Sequence, residues 1–422
     1  MIDKDLWPVM LSVMLWHLGY SLYGPFVSLW IFRDLGNPSY FVLAAMVSLP
    51  AMISIFGITL LSRLADQTGR LRELLCITAF AATFQFLLLS LLVDSTLSFL
   101  IIVLPLSIFT LSFYTLAVAL ATSICDPEAK GRVASWLMIF ASFGWSIGSM
   151  ASGIAFRMLG MRTVLVIAAA FLVIAALLPL ISPQNRNART SVDKSIEFSF
   201  DGDKESSYGF LLRNRQIQLL LLIASLLYFG TGGLMTLATI YYIEGVGVRE
   251  DHFGFAFALS TLIAIPILLL IGEVLDAVGR RPILRLGVFI YFSWFVLVSL
   301  TRDPVFLLIL WLIPLYAILS PAITAMMADL TDLSERSRGM GLVMAIANSM
   351  PGFGAILGGL AADAFGLFVL PLISLLFLPF ALLLAFVFVA ESQEQRLPRE
   401  VIARPTLSQL LTAWLFSLDR KK

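Results

Sequence analysis

Twelve apolar runs of 18 to 28 residues recur along this 422-residue chain. They are Leu6–Ile31, Tyr40–Leu61, Leu74–Val93, Leu97–Ile124, Val133–Phe156, Thr163–Ile181, Ile217–Ile243, Phe253–Ile271, Ile283–Leu300, Val305–Met327, Met340–Phe365 and Leu367–Ala390. About 20 apolar residues in a helix cross the hydrocarbon core of a bilayer. Inside that core every backbone N–H and C=O must be paired within the segment, so runs of this kind are helices. A soluble protein carries about 25% charged residues. This chain has 13%, with 59% hydrophobic residues and a mean hydropathy of +0.95. The expectation is an all-α membrane protein with twelve transmembrane helices.

Between the sixth and seventh runs lies Ser182–Gln216, rich in Ser, Asp, Asn, Arg and Lys. That composition cannot bury itself and reads as a solvated linker. The chain then divides into an N-terminal six-helix bundle (1–181), a cytoplasmic linker (182–216), a C-terminal six-helix bundle (217–390) and a cytoplasmic tail (391–422). Cytoplasmic connections carry the excess of Lys and Arg. With twelve spans, 23 of the 28 basic residues fall on the side of the termini, leaving Arg33, Arg157, Arg162, Arg249 and Arg302 on the other. The first side, called the basic face below, is therefore expected to be cytoplasmic and the membrane to be the plasma membrane. In the tail, Leu407, Leu410, Leu411, Trp414, Leu415 and Leu418 form one helical stripe. Such a segment either lies on the inner leaflet or packs on the protein's own cytoplasmic face.

Two loops repeat at half-length. The first is Ser62-Arg63-Leu64-Ala65-Asp66-Gln67-Thr68-Gly69-Arg70; the second is Gly272-Glu273-Val274-Leu275-Asp276-Ala277-Val278-Gly279-Arg280-Arg281. Asp66 and Asp276 are 210 positions apart, so the halves are homologous and the two bundles pseudo-symmetric. A second loop pair agrees: Lys130-Gly131 and Arg338-Gly339 lie 208 apart, preceded by Asp126 and Asp332.

This pattern resembles the major facilitator superfamily over nearly the whole chain. The family's loop signature between helices 2 and 3 matches at Asp66, Gly69 and Arg70. Its second copy matches at Gly272, Asp276, Gly279, Arg280 and Arg281. The resemblance implies the major facilitator fold and gating loops that hold the cytoplasmic side shut. Asp66 would face the start of helix 11, and Asp276 the start of helix 5 near Gly131–Ser135. Arg70 and Arg280 would reach acidic residues ending helices 4 and 10, with Asp126 and Asp332 as candidates. A carboxylate suits a helix N-terminus because unpaired N–H groups and the helix dipole favour negative charge there. In helix 5, Gly144, Gly148 and Gly153 also look like the signature of the drug-exporting branch, although Ser149 replaces its Pro and Ser152 a Gly. Small residues at this spacing equally serve close helix packing.

In this family the substrate sits between the halves near the bilayer midplane. The midpoints of helices 1, 4, 7 and 10 carry Tyr20, Tyr114, Tyr228 and Tyr316. Nearby stand His17, Tyr23, Phe113, Phe229 and Trp311, with Trp145 and Asn348 on helices 5 and 11. These form the candidate cavity set, although with 33 phenylalanines in the chain some of the aromatics serve packing alone. His17 is the one mid-membrane group that could titrate near neutral pH. The alternative is a neutral ring hydrogen-bonded to Ser21 or a carbonyl. The helix-4 arginine of proton-coupled members is absent.

The function classes narrow accordingly. An aromatic cavity nearly free of charge suits lipophilic or weakly polar cargo, which points to a secondary transporter working by alternating access and exporting hydrophobic compounds. A facilitator or symporter importing a small nutrient is the alternative within transporters. A transport-incompetent receptor or scaffold on the same fold is the alternative outside them, and the paired gating loops argue against it. No nucleophile–base or metal-ligand pattern points to an enzyme, a metal or a cofactor. The expected partners are a small-molecule substrate, the lipid bilayer and, as a candidate coupling ion, protons. No feature suggests nucleic acid, and a monomer is expected.

Overall fold

The computed structural model describes residues 4–36, 38–125, 129–182, 213–331 and 336–387. The side chains of Asp66, Lys130, Gly131, Arg336 and Ser337 are outside that description. So are Asp126 and Asp332, most of the linker, and the tail with its amphipathic stripe.

Ten helical stretches are long and apolar enough to cross a membrane. One of them, Arg132–Ile181, is two helices joined at a corner. A further helix, the first, crosses in shorter pieces: Lys4–Leu6, Trp7–Tyr23, Gly24–Phe26 and Val27–Asp34. The described residues thus make twelve passes. We label the broken first helix α1 and continue with α2 (Tyr40–Thr68), α3 (Leu71–Leu92), α4 (Thr96–Thr110 and Phe113–Ile124), α5 (130–159) and α6 (161–177). The second half has α7 (Arg215–Thr236, continued irregularly to Gly245), α8 (Glu250–Val278), α9 (Arg280–Leu300), α10 (Pro304–Trp311 and Tyr316–Leu330), α11 (Arg336–Phe365) and α12 (Leu370–Val387).

The repeat seen in the loops recurs in the backbone. Gly160 turns the chain from α5 to α6 at φ 73°, ψ 159°, and Gly366, 206 positions later, turns it from α11 to α12 at φ 83°, ψ 169°. A side chain at positive φ is strained, so both corners need glycine.

The four helices α1, α4, α7 and α10 occupy equivalent places in the repeat, and each is discontinuous. In α1 the break falls at Gly24–Phe26, where Pro25 has no N–H to give. In α10 Pro314 lies in the break, and the Leu310 carbonyl accepts the Trp294 indole N–H at 2.8 Å as well as the Ile313 backbone N–H at 3.1 Å. In α4 the turn at Leu111–Ser112 leaves the Ile108 carbonyl to the Ser112 hydroxyl at 3.0 Å. In α7 the last turn widens over Tyr241–Gly245. Broken helices are tolerated at membrane depth only where protein or a cavity surrounds the loose backbone.

Glycines set the closest helix contacts. A Cβ at Gly144 would overlap the Met14 carbonyl, and one at Gly148 the Leu18 carbonyl, so α5 lies directly on α1. At Gly354 it would overlap the Phe229 carbonyl, so α11 lies directly on α7. Packing thus accounts for the small residues of α5 without reference to the direction of transport.

Candidate functional site

A cavity of about 340 Å³ lies between the two halves. Tyr20 and Tyr23 of α1, Gln85 of α3, Trp145 of α5, Phe257 of α8 and Asn348 of α11 line it, with short segments of α2, α4 and α7. Among the described residues that line it there is no Asp, Glu, Lys, Arg or His. Its walls are aromatic and aliphatic, with hydroxyls and two carboxamides.

Away from the basic face this cavity is roofed by contacts between the halves. Arg33 of α1 pairs with Glu244 at 2.7 Å and with Glu250 at 2.8 Å. Arg157 of α5 reaches Asp251 of α8 at 3.4 Å. Asp363 of α11 accepts the backbone N–H groups of Tyr40 at 2.6 Å and Phe41 at 3.0 Å, the first turn of α2. One layer deeper, Ser146 donates to the Ala258 carbonyl at 3.0 Å and Thr239 donates to the Pro25 carbonyl. Gly359 sits against Tyr40, where a Cβ would lie 2.6 Å from its carbonyl oxygen, and Gly153 sits equally tightly against Glu250. Each glycine lets a helix of one half touch the start of a helix in the other.

The loops of the basic face are arranged differently. Asp276 pairs with Arg280, one turn along its own chain, at 2.8 Å, and its side chain is 51% exposed. Asp276 was expected at the start of α5 near Gly131–Ser135; the ion pair it makes among the described residues is with Arg280, and the side chains of Lys130 and Gly131 lie outside that description. Arg280 also reaches Asp329 of α10 at 3.1 Å, an acidic partner one turn before Asp332, which itself lies outside the described residues. The Cβ position of Gly272 meets nothing within 4 Å. Gly69 closes α2 in the left-handed region at φ 66°, with its N–H on the Ala65 carbonyl at 2.8 Å, and Arg70 follows it as the residue that precedes α3. Gly279 separates α8 from α9 at φ 108°, and Arg281 begins α9 with Arg280.

Of the candidate cavity residues, Tyr20, Tyr23, Trp145 and Asn348 line the cavity. His17 lies one turn away on α1, with Nδ1 2.8 Å from the Val13 carbonyl and its ring edge-on to Tyr114 at 5.5 Å and Trp145 at 6.4 Å. The other members are outside the lining. Phe113 is fully buried and stacks on Trp16 at 5.0 Å. Phe229 packs on Phe377 of α12 at 4.9 Å. Trp311 joins a cluster with Tyr242, Phe253 and Phe257 and touches the cavity wall through the last of these. Tyr228 is half-buried, and Tyr316 is exposed beyond the break in α10.

Sequence reasoning missed Gln85 and Phe257, which come from α3 and α8. Gln85 had a signal. It is the one carboxamide in the third apolar run, and a polar side chain at membrane depth is a functional candidate.

A twelve-pass helical bundle in two related halves, with a cavity between them roofed on one face, is the build of a membrane transporter. A family model described as Major Facilitator Superfamily matches residues 9–248 and again 220–418, and the chain belongs to that family. It is thus a multi-pass membrane transporter of small molecules and not an enzyme. No curated protein matches the sequence. Solved structures share the fold at low identity. The nucleoside transporter NupG is 15% identical with a TM-score of 0.71, over 91% of this chain and 98% of its own. A bacterial homolog of the human lysosomal transporter Spinster, inward-facing and occupied, is 14% identical with a TM-score of 0.70, over 90% of this chain and 95% of its own. The human organic anion transporter MFSD10 is 14% identical with a TM-score of 0.61, over 91% of this chain and 100% of its own.

Proposed function

We propose that the chain is a secondary active transporter that works by alternating access and exports hydrophobic or weakly polar small molecules. The observation that carries this reading is the aromatic cavity between the halves, with no charged side chain among its described lining residues and with ion pairs and a capped helix roofing it on the face away from the basic one. With the basic face taken as cytoplasmic, the roof is the outer gate and the conformation is inward-facing. The pairing of Asp276 with Arg280 on its own chain is compatible with this state, since a contact across the inner seam belongs to the state in which that seam is shut. A monomer in the plasma membrane suffices, because both halves of the cavity come from one chain.

The second reading is a facilitator or proton-coupled symporter importing a small polar nutrient. The buried carboxamide of Gln85 favours it, as does the likeness to a nucleoside transporter. Purified protein in liposomes of fixed orientation distinguishes the two. Saturable movement of neutral lipophilic compounds from the basic face to the opposite face, lost in Asp276→Asn, is the expected result. Saturable uptake of polar nutrients alone, driven by an inward proton gradient, would replace the first reading with the second.

A further inference from the structure

One buried carboxamide in the cavity wall has an oxygen without a hydrogen-bond partner among the described residues. Gln85 is 2% exposed and lines the cavity, and its Oε1 has no hydrogen-bond partner. The other carboxamide in the lining is engaged: Asn348 donates to the Met344 carbonyl at 2.9 Å. An amide oxygen buried without a partner costs about 1–3 kcal/mol. The oxygen is covered by protein while the residue lines the cavity, so a small turn of the side chain presents it to a ligand donor, which gains what the unpaired oxygen costs.

The repeat sharpens the point. Phe86 and Phe295, 209 positions apart, are both fully buried at equivalent places in α3 and α9. At the same offset from Gln85 stands Trp294, whose indole N–H is taken up by the broken backbone of α10 at Leu310. The second half uses its polar group to hold its own helix together. The first half leaves its polar group unpaired beside the cavity.

The rest of the lining limits what can bind. Tyr20 and Tyr23 meet edge-to-face at 6.3 Å on one wall, and Trp145 meets Phe257 across the two halves at 6.4 Å on another. Planar rings stack or pack edge-on against such surfaces. A formal charge would leave water with no opposite charge to meet, which is costly in a low-dielectric site. The volume is near the lower end of ligand pockets, which run about 300–1,000 Å³.

We infer that Gln85 is the polar anchor of this cavity and selects an uncharged molecule carrying a planar aromatic ring and at least one N–H or O–H donor. This rests on the cavity being the transport site proposed above, and it narrows the cargo from lipophilic compounds in general to neutral donors. Lipophilic cations and carboxylates are excluded by the same argument.

The test uses purified full-length protein and matched pairs that differ by one methyl on the donor: indole and 1-methylindole, 2-naphthol and 2-methoxynaphthalene, theophylline and caffeine. Tetraphenylphosphonium serves as the cationic probe. Binding is read from tryptophan fluorescence and from the rise in melting temperature on ligand addition. In the wild type the donor member should bind at least about tenfold tighter than its methylated partner, because a site built around a hydrogen bond rejects the analogue that lacks it. In Gln85→Leu the difference should fall to within about twofold, with the methylated member gaining. In Gln85→Glu tetraphenylphosphonium binding should appear. Equal binding of the pairs, binding of the cation alone, or no binding of any neutral compound by the wild type would overturn the inference. So would a donor preference that persists in Gln85→Leu. Transport of the bound compounds into liposomes is measured separately. Binding with the donor preference but no transport would overturn the transporter reading and leave the anchor standing; transport of cations untouched by Gln85→Leu would do the reverse.

Discussion

Asp363 of α11 sits on the start of α2, its two carboxylate oxygens taking the N–H groups of Tyr40 and Phe41. The two residues belong to opposite halves and lie 323 positions apart. At the equivalent place in α5, 206 positions earlier, stands Arg157, which reaches Asp251 in the first turn of α8. One repeat therefore closes the seam with a carboxylate on backbone N–H groups, and the other with an ion pair.

Removing the first of these contacts should release the roof. A capping Asp contributes about 0.5–2 kcal/mol, and the helix dipole adds to the attraction. Asp363→Ala should therefore raise the population open on that face by roughly tenfold, since about 1.4 kcal/mol is a factor of ten. Spin labels on the ends of α2 and α11 would report it as a longer distance in a larger fraction of molecules. An unchanged distance distribution would remove Asp363 from the gate.

Arg33 should behave differently. It is partly exposed, so its two pairs are each worth a few tenths of a kcal/mol, together no more than about 1 kcal/mol, and are screened by salt. Arg33→Gln should shift the opening equilibrium less than about fivefold, and less still at 1 M salt. Arg33→Glu places three carboxylates together and should open the roof further, with Glu250→Arg restoring closure. Failure of that rescue would mean the pairs are incidental.

The glycines divide into two kinds by what a methyl group would meet. At Gly354 it overlaps the Phe229 carbonyl, and overpacking costs about 1–3 kcal/mol or more. Gly354→Ala should lower the melting temperature of detergent-solubilised protein by several degrees. Gly272→Ala faces open space in this conformation and adds helix propensity, so the fold should be unharmed or steadier by about 0.5–1 kcal/mol. Transport by Gly272→Ala should nevertheless fall, because the same loop must come close to α5 when the basic face shuts. Full activity would show that no such approach occurs.

Asp276→Asn should leave the protein folded, since Asp276 is half exposed and its ion pair lies on the surface, while transport falls at least about tenfold. His17→Gln is the control for proton coupling. Its Nδ1 lies on the Val13 carbonyl, which a neutral ring satisfies as a donor, so the pH profile of transport should be unchanged. A profile flattened by that substitution would favour the symporter reading.

The helices were legible because lipid leaves a backbone so few options. Hydropathy alone sets out twelve passes, and the half-length repeat shows in loops that must be polar. The corners at Gly160 and Gly366 fall between predicted runs that end at Phe156 and Phe365 and resume at Thr163 and Leu367. The cavity was less legible. Tyr20 and Tyr23 could be placed by depth, but so could Tyr228 and Phe229, and depth does not say which side of a helix faces inward. Phe229 turned out to lie on α12. The contact of Asp363 with Tyr40 had no local signature, because it joins residues that meet only when one face of the molecule is shut.

The absence of formal charge from the cavity has an electrical consequence. A membrane potential does about 2.3 kcal/mol of work per elementary charge moved through 100 mV. Neutral cargo carried in a chamber lined by phenols, indoles and carboxamides moves no charge of its own across that field. Polarising the membrane then gives such a carrier no direction. Concentration gradients, of cargo or of a coupled ion entering elsewhere, must supply it.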